Sequence, residues 1–228
     1  MKQTRIAING FGRIGRLFFR AAFEMPGLEI VAINDLGDVD NLGYLLKYDT
    51  VYGRYAKEVK TDAAGGKLTV DGAEINFLQV KDPAQLPWKD LNIDIVVEST
   101  GLFDAYDKSK VHLDAGAKRV VITAPAKDED GVLGKTVLMG VNEDVLKTCQ
   151  ITSNGSCTTN SASPVMQILS ENPGIAKAVL STVHSYTATQ NLVDGPIRGG
   201  RDFRRGRAAA QNISPSTTGA AISVARAI

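Results

Sequence analysis

The chain has 228 residues, enough for one large domain or two smaller ones, and it is 43% hydrophobic and 22% charged, as ordinary globular proteins are. Its 26 basic and 25 acidic residues leave a formal net charge of +1, so nothing global draws it toward nucleic acid or a membrane surface. Two cysteines, Cys149 and Cys157, are too few for a disulfide framework or a zinc cluster, no apolar run approaches the ~20 residues of a membrane span, and Met1 to Asn9 does not read as a signal peptide; a cytoplasmic setting is the expectation.

In chain order, Arg5 to Asn9 is short, apolar and bounded by Gly10, which predicts a buried strand. Arg13 to Met25 carries Ile14, Leu17, Phe18, Ala21 and Ala22 at helical spacing and stops at Pro26-Gly27. Glu29 to Asn34 predicts a second strand, and Lys67 to Leu78 a hairpin with Asp71-Gly72 at its tip. A buried strand follows at Ile93 to Glu98, then a helix from Asp104 to Ala115, and strands at Arg119 to Thr123, Thr136 to Met139 and Gln150 to Thr152. Strands alternating with helices predict an α/β fold, a doubly wound parallel sheet covered by helices. Near Thr152 the composition turns to Ser, Thr, Asn and Gly. We expect a boundary there, with one domain over 1–152 and a second part over 153–228. In the second part Ala162 to Ser170 reads as helix, Ala176 to Tyr186 as a longer strand, and Asp194 to Arg207 as a Gly- and Arg-rich loop.

Gly10-Phe11-Gly12-Arg13-Ile14-Gly15 fits G-x-G-x-x-G. The pattern alone is weak, but here it follows a predicted strand and opens a predicted helix. Gly10 permits the tight turn, Gly12 lets the backbone approach a pyrophosphate, Gly15 lets helix and strand pack closely, and the helix N-terminus favours the phosphates. Asp35 lies twenty residues after Gly15, at the end of the second strand, where a carboxylate accepts from an adenosine ribose and repels a 2′-phosphate. That favours NAD over NADP; the alternative for Asp35 is a turn or cap residue.

Ser156-Cys157-Thr158-Thr159-Asn160 precedes the predicted Ala162–Ser170 helix. A thiol at a helix N-terminus loses its proton more readily, and small polar neighbours can bind an oxyanion. Cys149, with no polar support, reads instead as a buried small hydrophobe. Of two histidines, His112 falls on the predicted Asp104–Ala115 helix and reads as a surface or packing residue. His184, at the end of the predicted Ala176–Tyr186 strand, is the candidate base for Cys157.

These residues resemble those of phosphorylating glyceraldehyde-3-phosphate dehydrogenases. Asn9 through Arg16, Asn34-Asp35, Asp82-Pro83 with Pro87-Trp88, Glu98-Ser99-Thr100-Gly101, Ser153 through Asn160, His184-Ser185-Tyr186-Thr187 and Ser216 through Ala221 all match that family in order, with Gly155 where Ala is more usual. The resemblance implies a Rossmann-type domain followed by an incomplete α+β catalytic domain, because members run on by roughly a third more. It implies that Cys157 attacks glyceraldehyde 3-phosphate to give a thiohemiacetal, that His184 moves its proton, that hydride passes to NAD, and that inorganic phosphate cleaves the resulting thioester to 1,3-bisphosphoglycerate. Arg13, Ile14, Asp35, Lys81 and Thr123 would contact the dinucleotide. Ser156, Thr158, Thr218 and Gly219 would hold the attacking phosphate, Thr187 the substrate phosphate, and Arg205 is a candidate for a further substrate contact. The family also implies a homotetramer.

Arg198, Arg201, Arg204, Arg205 and Arg207 crowd one loop, but Phe203 is its only aromatic, which speaks against a nucleic-acid surface. The rival readings are a relative acting on erythrose 4-phosphate, and a truncated, non-catalytic binder of nucleotide or RNA. For residues 1–228 alone, the expectation is weak NAD binding and negligible turnover.

Overall fold

The computed structural model describes residues 3–197 and 201–228; Arg198, one of the loop arginines, lies outside them. Eleven strands and five α-helices form among the described residues. The first half is a β–α–β unit: β1 (Thr4–Asn9), α1 (Arg13–Ala22) and β2 (Leu28–Asn34), with β1 and β2 paired in parallel. The last four residues of β1 and the last five of β2 are buried, as expected for strands covered on both faces. Helix α1 turns Gly15, Phe19 and Ala22 inward, one stripe at helical spacing. Phe19 meets Phe11 edge-on at 5.8 Å and stacks on Phe23 at 5.3 Å. The helix ends at Ala22 rather than Met25, because Pro26 disfavours helical backbone at the residue before it, and Met25 N–H instead closes a turn on Ala22 O.

Residues 36–66 carried no predicted element, yet they form helix α2 (Val39–Lys47), the short pair β3 (Tyr48–Asp49) and β4 (Gly53–Arg54), and β5 (Val59–Asp62). Asp38 caps α2 by accepting from Asn41 N–H. The hairpin forms as predicted, from β6 (Lys67–Val70) and β7 (Ala73–Leu78), and both tip residues, Asp71 at φ 47° and Gly72 at φ 84°, take the left-handed backbone that a two-residue turn requires.

Strand β8 (Ile95–Glu98), helix α3 (Tyr106–Asp114), and strands β9 (Arg119–Ile122), β10 (Gly134–Thr136) and β11 (Ile151–Ser153) complete the sheet. Its order is β10-β11-β9-β8-β1-β2-β7-β6-β5, parallel from β10 through β7 and antiparallel over the hairpin and β5. Strand β10 lies two residues earlier than Thr136–Met139. Asn142 ends it, donating to Thr136 O and accepting from Leu138 N–H, which turns the chain away from the ladder. His112 is fully buried on α3 between the sheet and Trp88, a packing residue and not a surface one.

Beyond β11 the described residues form helices α4 (Cys157–Glu171) and α5 (Ala220–Ala227) and no strand. The strand expected over Ala176–Tyr186 does not form. Ten of its eleven residues are exposed, and no neighbouring strand among the described residues offers a ladder. Its apolar spacing was real, but a strand needs a partner as well as a pattern.

Candidate active site and cofactor cleft

The parallel strands put their C-terminal ends on one edge. The register places Asn34 beside Asn9, Asn9 beside Glu98, Glu98 beside Ile122, Ile122 beside Ser153, and Ser153 beside Thr136. Every segment that carries a predicted site residue in the first half leaves the sheet from this row, as ligand sites in open α/β sheets do. From β1 to β11 is three strand spacings, about 14 Å.

A cleft of about 260 Å³ opens over the β1 and β2 ends, lined by Gly10, Gly12, Asp35, Lys81, Thr100 and neighbouring residues. The glycines are there for distinct reasons. Gly10 sits at φ 92°, and a Cβ on it would stand 2.5 Å from Thr100 N. A Cβ on Gly15 would stand 2.1 Å from Gly10 O, which enforces close helix–strand contact. A Cβ on Gly12 would meet nothing within 4 Å, so this position faces open space. Gly12 is also the N-cap of α1, contributes no side-chain cap, and no acidic residue occupies the first turn. An uncapped helix N-terminus of this kind is made for an anion, and the cradle therefore fits the pyrophosphate of a dinucleotide.

Asp35 is a turn residue placed at the cleft. It lines the cleft, and its Oδ2 accepts from Phe11 N–H at 2.6 Å while Oδ1 accepts from Gly37 N–H at 2.8 Å. Lys81 lines the cleft with it. Ile14 is half-exposed in the first turn of α1. The Arg13 guanidinium points elsewhere, donating to Asp49 at 2.8 Å and lying over the Tyr52 ring. Thr123 donates to Glu98 O at 3.1 Å, at the foot of β9.

Cys157 is the first residue of α4. Ser156 caps that helix through a capping box with Thr159, which fixes the entry of the chain. The exposed Cys157 Sγ lies 3.1 Å from His184 Nε2, although 27 residues separate them. His184 Nδ1 donates to Ser185 O at 2.6 Å, leaving Nε2 to face the sulfur. Partial burial works against the Cys157 thiolate. The His184 hydrogen bond and charge, together with donors on Thr158, outweigh it and hold the thiol below its ordinary value of 9.0. His184 is raised in turn, first by the Ser185 carbonyl and then by the cysteine. Cys149 is the opposite case: buried, with burial pushing its thiol up.

The remaining predicted residues form a polar cluster in the second part. Thr187 Oγ1 lies 3.0 Å from Thr189 Oγ1, and Arg205 donates to Thr189 Oγ1 at 2.7 Å and to Ser216 Oγ at 2.5 Å. Thr218 accepts from Ala220 N–H, and Gly219 is the N-cap of α5, again without a side-chain cap. Thr189 and Ser216 had no predicted role, nor had the Ser185 carbonyl. Nothing in their spacing marks them, because they meet only when the loop folds.

Fold and site together define a dinucleotide-binding α/β protein whose second part carries a paired cysteine and histidine. The chain belongs to the glyceraldehyde-3-phosphate dehydrogenase family. The model for the family's NAD binding domain matches residues 4–106, and that for its C-terminal domain matches residues 156–228. Glyceraldehyde-3-phosphate dehydrogenase from Thermotoga maritima is 51% identical over 98% of this chain and 65% of its own length. Glyceraldehyde-3-phosphate dehydrogenase 1 from Nostoc sp. is 49% identical over 99% and 64%, and the cytosolic enzyme of Trypanosoma brucei brucei is 49% identical over 97% and 65%. The chain thus spans a little under two thirds of these relatives. No described helix is long and apolar enough to cross a membrane.

Proposed function

We propose that the protein oxidises glyceraldehyde 3-phosphate to 1,3-bisphosphoglycerate with NAD and inorganic phosphate, as a cytoplasmic homotetramer, with a dinucleotide-binding domain over 1–152 and a catalytic part over 153–228. The observation that carries this reading is the 3.1 Å contact between Cys157 Sγ and His184 Nε2 at the start of α4. Helix α4 follows β11, whose end lies on the same row as that of β1, three strand spacings or about 14 Å along, a span suited to a dinucleotide laid across the edge.

In this reading the Cys157 thiolate adds to the aldehyde carbon, and His184, holding the thiol's proton on Nε2, gives it to the carbonyl oxygen. The thiohemiacetal hydroxyl then returns that proton to His184 as the carbon is oxidised to a thioester. NAD, when bound, supplies the hydride acceptor for that step. Inorganic phosphate attacks the thioester carbon and the Cys157 thiolate leaves, regenerating the pair. A covalent intermediate splits a difficult oxidation and acylation into two easier steps.

Gly10, Gly12, Arg13, Ile14, Gly15, Asp35, Lys81 and Thr123 are assigned to the cofactor. Arg13 and Thr123 would serve through their backbone or after rotation, since their side chains are engaged elsewhere. Ser156, Thr158, Thr218 and Gly219 are assigned to the attacking phosphate, Thr187 and Arg205 to the substrate. Nucleic acid fits poorly: Arg204 pairs with Asp202 and Arg207 with Asp194, so the described part of the loop is not a free basic stripe. No observation favours erythrose 4-phosphate. The test is NADH formation at 340 nm from glyceraldehyde 3-phosphate with phosphate or arsenate. Turnover that Cys157→Ser abolishes supports the reading, and turnover that survives Cys157→Ser overturns it.

A further inference from the structure

Beneath the cofactor cleft lies a polar cluster that the proposed chemistry does not use. Glu98, Asn9, Asn34 and His112 are all buried. Glu98 Oε2 accepts from Asn9 Nδ2 at 2.6 Å and lies 3.0 Å from His112 Nε2. Its Oε1 accepts from Thr100 N–H at 2.8 Å and from Thr100 Oγ1 at 2.5 Å. Asn9 Oδ1 accepts from Asn34 Nδ2 at 2.8 Å, and Asn34 Oδ1 accepts from Val80 N–H at 2.9 Å. Asn9, Asn34, Val80 and Thr100 line the cleft, whereas Glu98 and His112 do not.

The hydrogen positions follow from who can donate. The Trp88 indole N–H, a donor only, lies 3.1 Å from His112 Nδ1. Nδ1 must therefore accept, the imidazole proton sits on Nε2, and Nε2–H donates to Glu98. An imidazolium would set two N–H groups against each other at Nδ1. Glu98 then receives four donors, two on each oxygen, which a carboxylate can satisfy and a protonated acid cannot. A buried network of this kind is rigid when complete and costly when one member is missing.

A second observation ties this network to the phosphate cradle. Ser99, between Glu98 and Thr100, donates to Gly10 O at 2.6 Å, and a Cβ on Gly10 would stand 2.5 Å from Thr100 N. The segment that Glu98 holds is thus the floor on which the glycine turn rests.

We infer that Glu98 is the positioning residue of the cofactor cleft: its carboxylate, oriented by a neutral His112 that Trp88 locks as the Nε2–H tautomer, fixes Asn9 and the Ser99–Gly101 segment and so sets the affinity for the dinucleotide. The inference rests on the reading that this cleft takes NAD.

The test measures NAD affinity by calorimetry alongside the emission of Trp88, the chain's only tryptophan. Glu98→Gln must turn an NH2 toward either the Thr100 donors or those of Asn9 and His112, and should weaken NAD binding about tenfold or more, the scale of a lost charge-assisted bond. His112→Leu leaves the Trp88 N–H without its partner and takes one of the four donors from Glu98; it should weaken NAD about as much and shift Trp88 emission. His112→Gln can present C=O to Trp88 and NH2 to Glu98, repeating the neutral tautomer, and should stay within about threefold of the unmutated protein. Leu68→Ala, in the core under the hairpin and away from the cleft, is the control for lost stability. If Glu98→Gln fails to fold, the two His112 variants decide. His112→Leu binding NAD as well as Leu68→Ala does would overturn the inference, and His112→Gln as weak as His112→Leu would overturn the tautomer on which it depends. Failure of the unmutated protein to bind NAD would overturn the reading of the cleft and the inference with it. Binding that the variants leave untouched overturns the inference alone.

Discussion

Two cysteines of one chain have opposite chemistry, and the difference lies in what surrounds each sulfur. Burial acts on both and favours the thiol. Only Cys157 has a histidine at 3.1 Å and a helix N-terminus behind it. Alkylation rate follows the thiolate fraction, so a lowered pKa moves the half-maximal pH of the reaction down. Brief iodoacetamide treatment followed by peptide mapping should label Cys157 well below the ordinary thiol pKa, with Cys149 lagging far behind. His184→Asn removes the main lowering cause and should move the profile of Cys157 upward; an unchanged profile would take His184 out of the role of base. The Asp35 carboxylate lines the cleft and also holds the backbone of Phe11 and Gly37. Replacing it with Ala should narrow the preference for NAD over NADP by removing repulsion of the 2′-phosphate. It should also weaken both cofactors, because Phe11 N–H loses its partner at 2.6 Å. Titration of the two nucleotides against both proteins measures this, and equal affinities in the unmutated protein would remove the proposed discrimination.

Elements that carry their own signal were legible in the sequence. Strand β1, helix α1, strand β2 and the β6–β7 hairpin follow from apolar runs and turn residues, and the glycine motif gained its meaning from standing between the first two. Gly15 shows how sharply that local fit is drawn. Gly15→Ala should cost about 2–3 kcal/mol by overpacking against Gly10 O, lowering Tm by roughly 4–12 °C, and should loosen NAD binding as α1 is pushed off the sheet. Calorimetric melting of the two proteins checks it, and an unchanged Tm would mean the contact relaxes freely. Elements that depend on distant partners were not legible. Helix α2 hides because Gly43 interrupts its apolar stripe, for a packing reason on another element: a Cβ there would stand 2.5 Å from Thr61. The Ala176–Tyr186 run reads as a strand by pattern and stays unpaired for want of a neighbour. The Cys157–His184 pair was half legible. The cysteine announced itself by its turn, while the histidine stood out because the other histidine fell on a helix. The Glu98 network was invisible, since its members are spread from Asn9 to His112 and look like strand ends and helix interior.

At the scale of the molecule, one side chain fastens the end of the described chain to the first sheet. Arg226 on α5 donates to Ala126 O and Asp128 O at 3.0 and 3.1 Å, and Asp128 in turn accepts from Tyr106 and Asp107 N–H at the start of α3. Arg226→Ala should cost about 1–3 kcal/mol, the range for bonds to a charged group. It should also raise amide exchange in α5 more than in β1 or β8; uniform exchange would show that α5 is held by other contacts. The sheet order has a consequence for how the chain is made. Strand β10 touches the sheet only through β11, which slots between β10 and β9 although it comes later in the sequence. During synthesis, residues 134–136 therefore emerge ahead of their partner and have no strand to pair with until residues 151–153 follow.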